Sequence, residues 1–310
     1  MTTAAKEVLD KYQIRKTKEQ KAEFRSYLLR IAKENDCSAR IEQNGSAQNI
    51  VIGDPDNAKV IYTAHYDTPA GTPFPNLMIP KNKLIYILYQ VAICLMLYSV
   101  PILVMTLGSS LALKWTNSTV WQTIVLFFGY AIMIGILALL LVGPANKHNA
   151  NDNTSGVSVL IDLMQMLPQD KKDSVALIFF DLEERGCVGS KAYSKAHKSK
   201  LKSTPVINFD CVGVGSTILL APRKGAHYLA PKLDHAFEET EGIKREVVLS
   251  STFSNSDHRN FPVGVGVAAF STSSHGILYT AKIHTKHDTE CHEDNIDFIV
   301  NGALKLTEII

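Results

Sequence analysis

Oxygen and nitrogen donors collect immediately after three apolar runs in this chain. His65 and Asp67 follow Ala58–Ala64, Asp181, Glu183 and Glu184 follow Ser174–Phe180, and Asp210 follows Pro205–Phe209. Each run predicts a buried strand by its length and lack of polar alternation. Open α/β sheets bind ligands just beyond the carboxyl ends of their strands. Three carboxylate or imidazole groups in that one position argue for a common site. Carboxylates and imidazoles without thiolates suit a divalent cation that serves hydrolysis.

Taken singly, these motifs differ in weight. His65 and Asp67 lie on the same side of an extended segment, and a metal-binding imidazole needs its second nitrogen held by an acceptor. The pair alone reads as a hydrogen-bonded histidine at a strand end. Asn151–Gly156 (NDNTSG) is rich in helix N-caps, although Asp152 could instead bridge two cations. Adjacent Glu183 and Glu184 repel one another unless a cation lies between them. One can hold metal while the other acts as a general base. Asp210 ends its strand, and His284 heads a polar run to Thr289 that contains several possible ligands. His287 and His292 read as surface bystanders. Ser256, Asp257 and His258 are consecutive, so they cannot form a serine triad, whose members come from separate segments. Cys187 and Cys211 flank the carboxylates, but Cys211 should face away from Asp210 and is excluded as a ligand. Gly213-Val214-Gly215 lacks the rest of a dinucleotide fingerprint.

In order, HYD, NDNTSG, DLEERGCVGS, NFDCVG, SDH and IHTKHDT resemble the co-catalytic di-zinc aminopeptidase family, which includes aminopeptidase Y, bacterial leucyl aminopeptidases and glutamate carboxypeptidase-like enzymes. The resemblance spans nearly all of the chain outside its central apolar segment. It implies a metallo-aminopeptidase with two zinc ions acting on a peptide or aminoacyl substrate. His65 and Asp210 would hold one ion, Glu184 and His284 the other, and Asp152 would bridge them. Glu183 would be the general base, and Asp67 would support His65. The family fold is a three-layer α/β/α sandwich with a mixed, mostly parallel sheet.

Strands alternating with helices agree with that class. Thr17-x-x-Gln20 ahead of Phe24, Tyr27, Leu28 and Ile31 predicts a capped amphipathic helix. Ser38–Gln43 and Asn49–Ile52 flank Asn44-Gly45 as a hairpin. Helices are predicted over 156–167, 188–201 and 228–239 and from Asp294, with a further strand over 266–270.

Between His65 and Asp152 lie two apolar stretches, Leu84–Leu107 and Val120–Val142. Each is long enough to cross a bilayer, which takes about 20 helical residues. They predict a transmembrane helical hairpin over 81–146, inserted into a discontinuous catalytic domain of 1–80 and 147–310. The short segment GSSLALKWTNST connects them, and Tyr86, Tyr89, Trp115 and Trp121 suit the interfaces. Lys81, Lys83 and Lys147 flank the pair, against Lys114 alone in the connection. The positive-inside rule therefore places the catalytic domain in the cytoplasm of an integral membrane protein. Ten residues separate Val142 from Asp152, at most about 35 Å of chain, so the metal site is expected near the lipid surface. The hydrophobic insert departs from the family pattern, and the resemblance says nothing of its role.

Composition adds exclusions. A net charge of +2 with scattered lysines gives no nucleic-acid footprint. Five irregularly spaced cysteines suggest no disulfide framework, and the first twenty residues lack the apolar core of a signal peptide. Two rival functions are an acyltransferase or other amidohydrolase on the same fold and a non-catalytic membrane receptor or scaffold, and a transporter is excluded. A glutaminyl-cyclase-like acyltransferase would use the same fold with one zinc, whereas a receptor or scaffold would lack ligands or the base. A transporter would need an intramembrane charge that the two stretches do not contain. No oligomeric state follows from the sequence.

Overall fold

The computed structural model describes residues 1–116, 118–249 and 256–310. The chain separates into two units, Met1–Lys81 with Ala145–Ile310, and Asn82–Pro144.

In the first unit, helices α1 (Thr3–Lys11) and α2 (Lys18–Glu34) precede the hairpin of β1 (Ala39–Asn44) and β2 (Ala47–Ile52), and β3 (Val60–His65) follows. Thr17 and Gln20 close the expected capping box at the start of α2. The Asn44–Ala47 turn uses Gly45 at φ 64°, a left-handed conformation that favours glycine. The second unit holds α3 (Lys83–Leu103), α4 (Ser109–Thr116) and α5 (Thr119–Val142). The first unit then resumes with α6 (Gly156–Met166), β4 (Val175–Phe180), α7 (Val188–Ala196), β5 (Val206–Phe209) and β6 (Thr217–Pro222). It ends with α8 (Ala230–Ala236), β7 (Lys244–Val247), β8 (Gly264–Thr272), β9 (Leu278–Tyr279) and α9 (Glu293–Ile309).

The strands form one mixed sheet in the order β1-β2-β4-β3-β5-β8-β6-β7, with β9 on β8. Its central strands β4, β3, β5 and β8 are parallel, which aligns their carboxyl ends. Antiparallel pairs join β1 to β2, β2 to β4 and β6 to β8. Strand alternation assigns the two faces. Val175, Leu177 and Phe179 of β4 pack in the large core with α1, α2, α6, α8 and α9, whereas Ala176, Ile178 and Phe180 pack with Tyr193 of α7. This is the three-layer sandwich the sequence predicts. Helix α1 and strands β6 and β7 were not among the sequence expectations.

A buried ion pair ties α2 to the sheet. Lys21 Nζ lies 2.7 Å from Asp181 Oδ1, at the end of β4. The Gln48 and Leu182 amides also donate to this carboxylate. Lys21→Met leaves a buried carboxylate without its cation, and such losses cost about 3–5 kcal/mol. The two amide donors favour the lower end, about 3 kcal/mol, read as a lower urea midpoint at unchanged slope.

The helices of the second unit are long and apolar enough to cross a membrane by length and composition, with mean hydropathy of 2.2 and 2.8 in their most apolar windows. Most of their large apolar side chains are exposed, among them Leu84, Phe127 and Ile134. Pro101 lies inside α3, and a single π-helical turn, Val104–Gly108, joins α3 to α4. The sequence places a connection over 108–119, but the helix runs on to Thr116, and position 117 lies outside the described residues. The reason is local. The Ser109 and Ser110 hydroxyls bond back to the Met105 and Thr106 carbonyls, so Gly-Ser-Ser does not break the helix. Against it, Gly129 of α5 allows close packing, since a Cβ there would lie 2.2 Å from Met105 Cγ.

Candidate metal centre

The parallel strands deliver the donors as their order requires. His65 is the last residue of β3, Glu183 and Glu184 follow β4, and Asp210 follows β5. Asp152 comes from the turn before α6, and His284 from the loop between β9 and α9. The turn before α6 packs tightly on β5: a Cβ at Gly156 would lie 2.4 Å from the Phe209 carbonyl oxygen. Asn153 Nδ2 donates to that same oxygen. The Asp152–Asn153 peptide is cis.

Asp152 occupies the middle of the site. Its Oδ1 lies 3.3 Å from His65 Nε2, and its Oδ2 lies 3.0 Å from His284 Nε2. Asp210 Oδ1 is 3.6 Å from His65 Nε2, and Glu184 Oε2 is 3.4 Å from His284 Nε2. Two donor groups therefore share one carboxylate: His65 with Asp152 and Asp210, and His284 with Asp152 and Glu184. Ligand atoms within each group lie within 4.8 Å of one another. A third such group, His65 with Glu183 and Glu184, links the two.

Crowded carboxylates dominate the electrostatics of the site. Burial alone would lower the His65 pKa, but Asp152, Asp210 and Asp67 outweigh it and hold the imidazole well above its ordinary value. His284 is raised to about 10 against the same burial, chiefly by Glu184 and Asp152. Burial pushes Glu184 up to about 8 and raises Glu183 well above the usual carboxylate range. Glu184 Oε1 is buried with no hydrogen-bond partner. An orphaned carboxylate oxygen among hard oxygen and nitrogen donors fits a divalent cation.

Asp67 has more partners than the sequence expectation gave it. Its backbone carbonyl lies 3.1 Å from His65 Nδ1, while its carboxylate is 3.7 Å from that nitrogen. The carboxylate also accepts the Glu183 and Glu184 amides at 2.9 and 3.2 Å. Asp67 thus fixes the backbone that aims both glutamates. Glu183 Oε1 accepts the Cys187 thiol at 3.2 Å. His287 and His292 are exposed and belong to no donor group among the described residues, and neither does Cys211.

Several supporting residues escaped the sequence reading. Asp288 is buried and accepts the Asn151 and Asp152 amides at 2.9 and 3.0 Å, holding the turn that carries Asp152. Arg15 is fully buried, bonded to the Tyr66 carbonyl and the Thr154 hydroxyl. Ser256, Asp257 and His258 form no triad. The Ser256 hydroxyl accepts from Asn208, Asp257 accepts the Ser190 hydroxyl, and the His258 ring packs over Gly266. Asp257 is buried, with its pKa pushed up to about 7. Leu182, Cys187, Cys211 and His284 all hold φ near +60° beside donor residues, a strained backbone that clusters at functional sites.

A mixed sheet whose parallel strand ends and nearby turns gather carboxylate–imidazole groups is an arrangement that could hold divalent cations. The model of Peptidase family M28 matches residues 139–306, and the chain belongs to that family. Among solved structures, the fold is similar to the Legionella pneumophila LapA aminopeptidase at 14% identity and a TM-score of 0.58, covering 98% of this chain and 69% of that one. It is also similar to the Porphyromonas gingivalis glutaminyl cyclase, at 14% identity and a TM-score of 0.56, covering 99% and 97%. The Macrostomum lignano glutaminyl cyclase aligns at 12% identity and a TM-score of 0.53, covering 99% and 87%. No curated protein sequence matches the chain.

Proposed function

We propose that this chain is a membrane-anchored aminopeptidase with a co-catalytic pair of zinc ions. The observation that carries the reading is Asp152, whose two oxygens face His65 and His284 separately. In this reading, His65, Asp152 and Asp210 hold one ion, and His284, Asp152 and Glu184 hold the other. Bound there, the pair supplies an acidified water and a polarised scissile carbonyl.

The remaining steps belong to the chain's own side chains. Glu183 removes a proton from the attacking water and delivers it to the leaving amine. The Cys187 thiol steadies the far side of that carboxylate, and Asp67 fixes the peptide units of Glu183 and Glu184. The excess of Lys81, Lys83 and Lys147 over Lys114 supports a cytoplasmic catalytic unit in this reading.

A second reading, a glutaminyl-cyclase-like acyltransferase, draws on the similarity to two cyclases. His65 and Asp210, both beside Asp152, favour two ions over one. Detergent-purified protein is therefore expected to carry two zinc ions per chain by elemental analysis and to release amino acids from aminoacyl reporters. One ion per chain, with cyclisation of amino-terminal glutamine and no peptide hydrolysis, would overturn the aminopeptidase reading in favour of the cyclase.

A further inference from the structure

The chain leaves the catalytic unit after β3 and re-enters it before α6, and both connecting legs are fastened to the segment that carries His284. Ala70 of the outgoing leg pairs with Ala145 of the returning leg. Further along the outgoing leg, Thr72 donates its amide to the His284 carbonyl at 2.7 Å, and Met78 pairs with Thr280. On the returning leg, Asn146 Nδ2 donates to the Thr285 carbonyl at 2.9 Å, and the Ala150 amide donates to the Asp288 carbonyl at 3.1 Å. All of these contacts lie within the catalytic unit. Helix α5 ends at Val142, four residues before Asn146. Four residues extend at most about 14 Å, so covalent reach and one side-chain bond keep the His284 turn within about 20 Å of the end of α5.

We propose that this peptidase acts on peptides held at a lipid surface, cleaving amino-terminal bonds within about 20 Å of the bilayer. The inference rests on the peptidase and membrane readings above and adds the substrate class. A site held far from the bilayer gains nothing from a short tether, whereas a site held close to it reaches such substrates directly.

Full-length protein reconstituted in phosphatidylcholine vesicles tests this with three aminoacyl reporters. One is free, one is joined to a phospholipid by a six-residue spacer, and one by a 24-residue spacer. The spacers reach at most about 20 and 80 Å. The six-residue reporter is expected to turn over at least as fast as the 24-residue one, because effective concentration falls as a tether outgrows its span. A drop of about tenfold or more for the six-residue reporter, with the longer one still cleaved, overturns the inference and leaves the peptidase standing. Preference for the free reporter over both tethered forms does the same. No hydrolysis of any reporter overturns the peptidase reading, and this inference with it.

Discussion

Asp152→Ala is expected to empty both metal positions and to reduce turnover below about one thousandth of the parent enzyme. Of the two groups that would each hold an ion, His65 and Asp210 serve one, Glu184 and His284 the other, and Asp152 contributes an oxygen to both. Burial opposes its ionisation, yet His284 and His65 hold its pKa well below the usual carboxylate range. Alanine removes both oxygens and leaves two imidazoles without their shared acceptor. Elemental analysis should find little zinc in Asp152→Ala, whereas Glu184→Ala should lose only the ion that Glu184 shares with His284. Two ions retained by the Asp152 variant would show that the site is assembled differently.

The second large effect separates holding a cation from moving a proton. Glu183→Gln preserves shape and the contact with the Cys187 thiol but removes the basic oxygen. Loss of a positioned general base costs about 10²–10⁴ in rate, or roughly 3–5 kcal/mol of barrier. The fall should appear in kcat, with KM and zinc content unchanged. Glu184 Oε2 lies 3.4 Å from His284 Nε2, while Glu183 Oε1 is engaged by Cys187. If the roles were exchanged, Glu183→Gln would lose metal and Glu184→Gln would keep it while losing turnover.

Part of the proposed donor set was legible from the ends of apolar runs, whereas Asp152 and His284 were assigned only through the family resemblance. His65, Glu183, Glu184 and Asp210 each sit at the end of an apolar run, and a parallel sheet aligns those ends. The supports were not legible, because they depend on contacts between distant segments. Arg15 reaches Thr154 across 139 positions and Asp288 reaches Asn151 across 137, and no local pattern announces either. A second role of the Asp67 carboxylate was missed for a similar reason. H-x-D suggests only a local pair, whereas the Glu183 and Glu184 amides that it also accepts follow β4, more than a hundred positions later. Strand β6 was passed over because Thr217–Pro222 is a short apolar run without alternation or an obvious turn partner, and its neighbour β8 comes much later in the chain. In the second unit, Gly108-Ser109-Ser110 has turn composition, yet both serines satisfy their hydroxyls within a helix.

The position of the second unit also orders events during synthesis. Strand β3 has two neighbours in the sheet, β4 and β5, and both follow α5 in the chain. A ribosome that has just completed β3 has made an unpaired central strand and His65, and next delivers the two apolar helices. Only afterwards do the flanking strands, the shared aspartate and both glutamates exist. The peptidase cannot mature ahead of its own apolar helices. Any partial product truncated within them is catalytically inert.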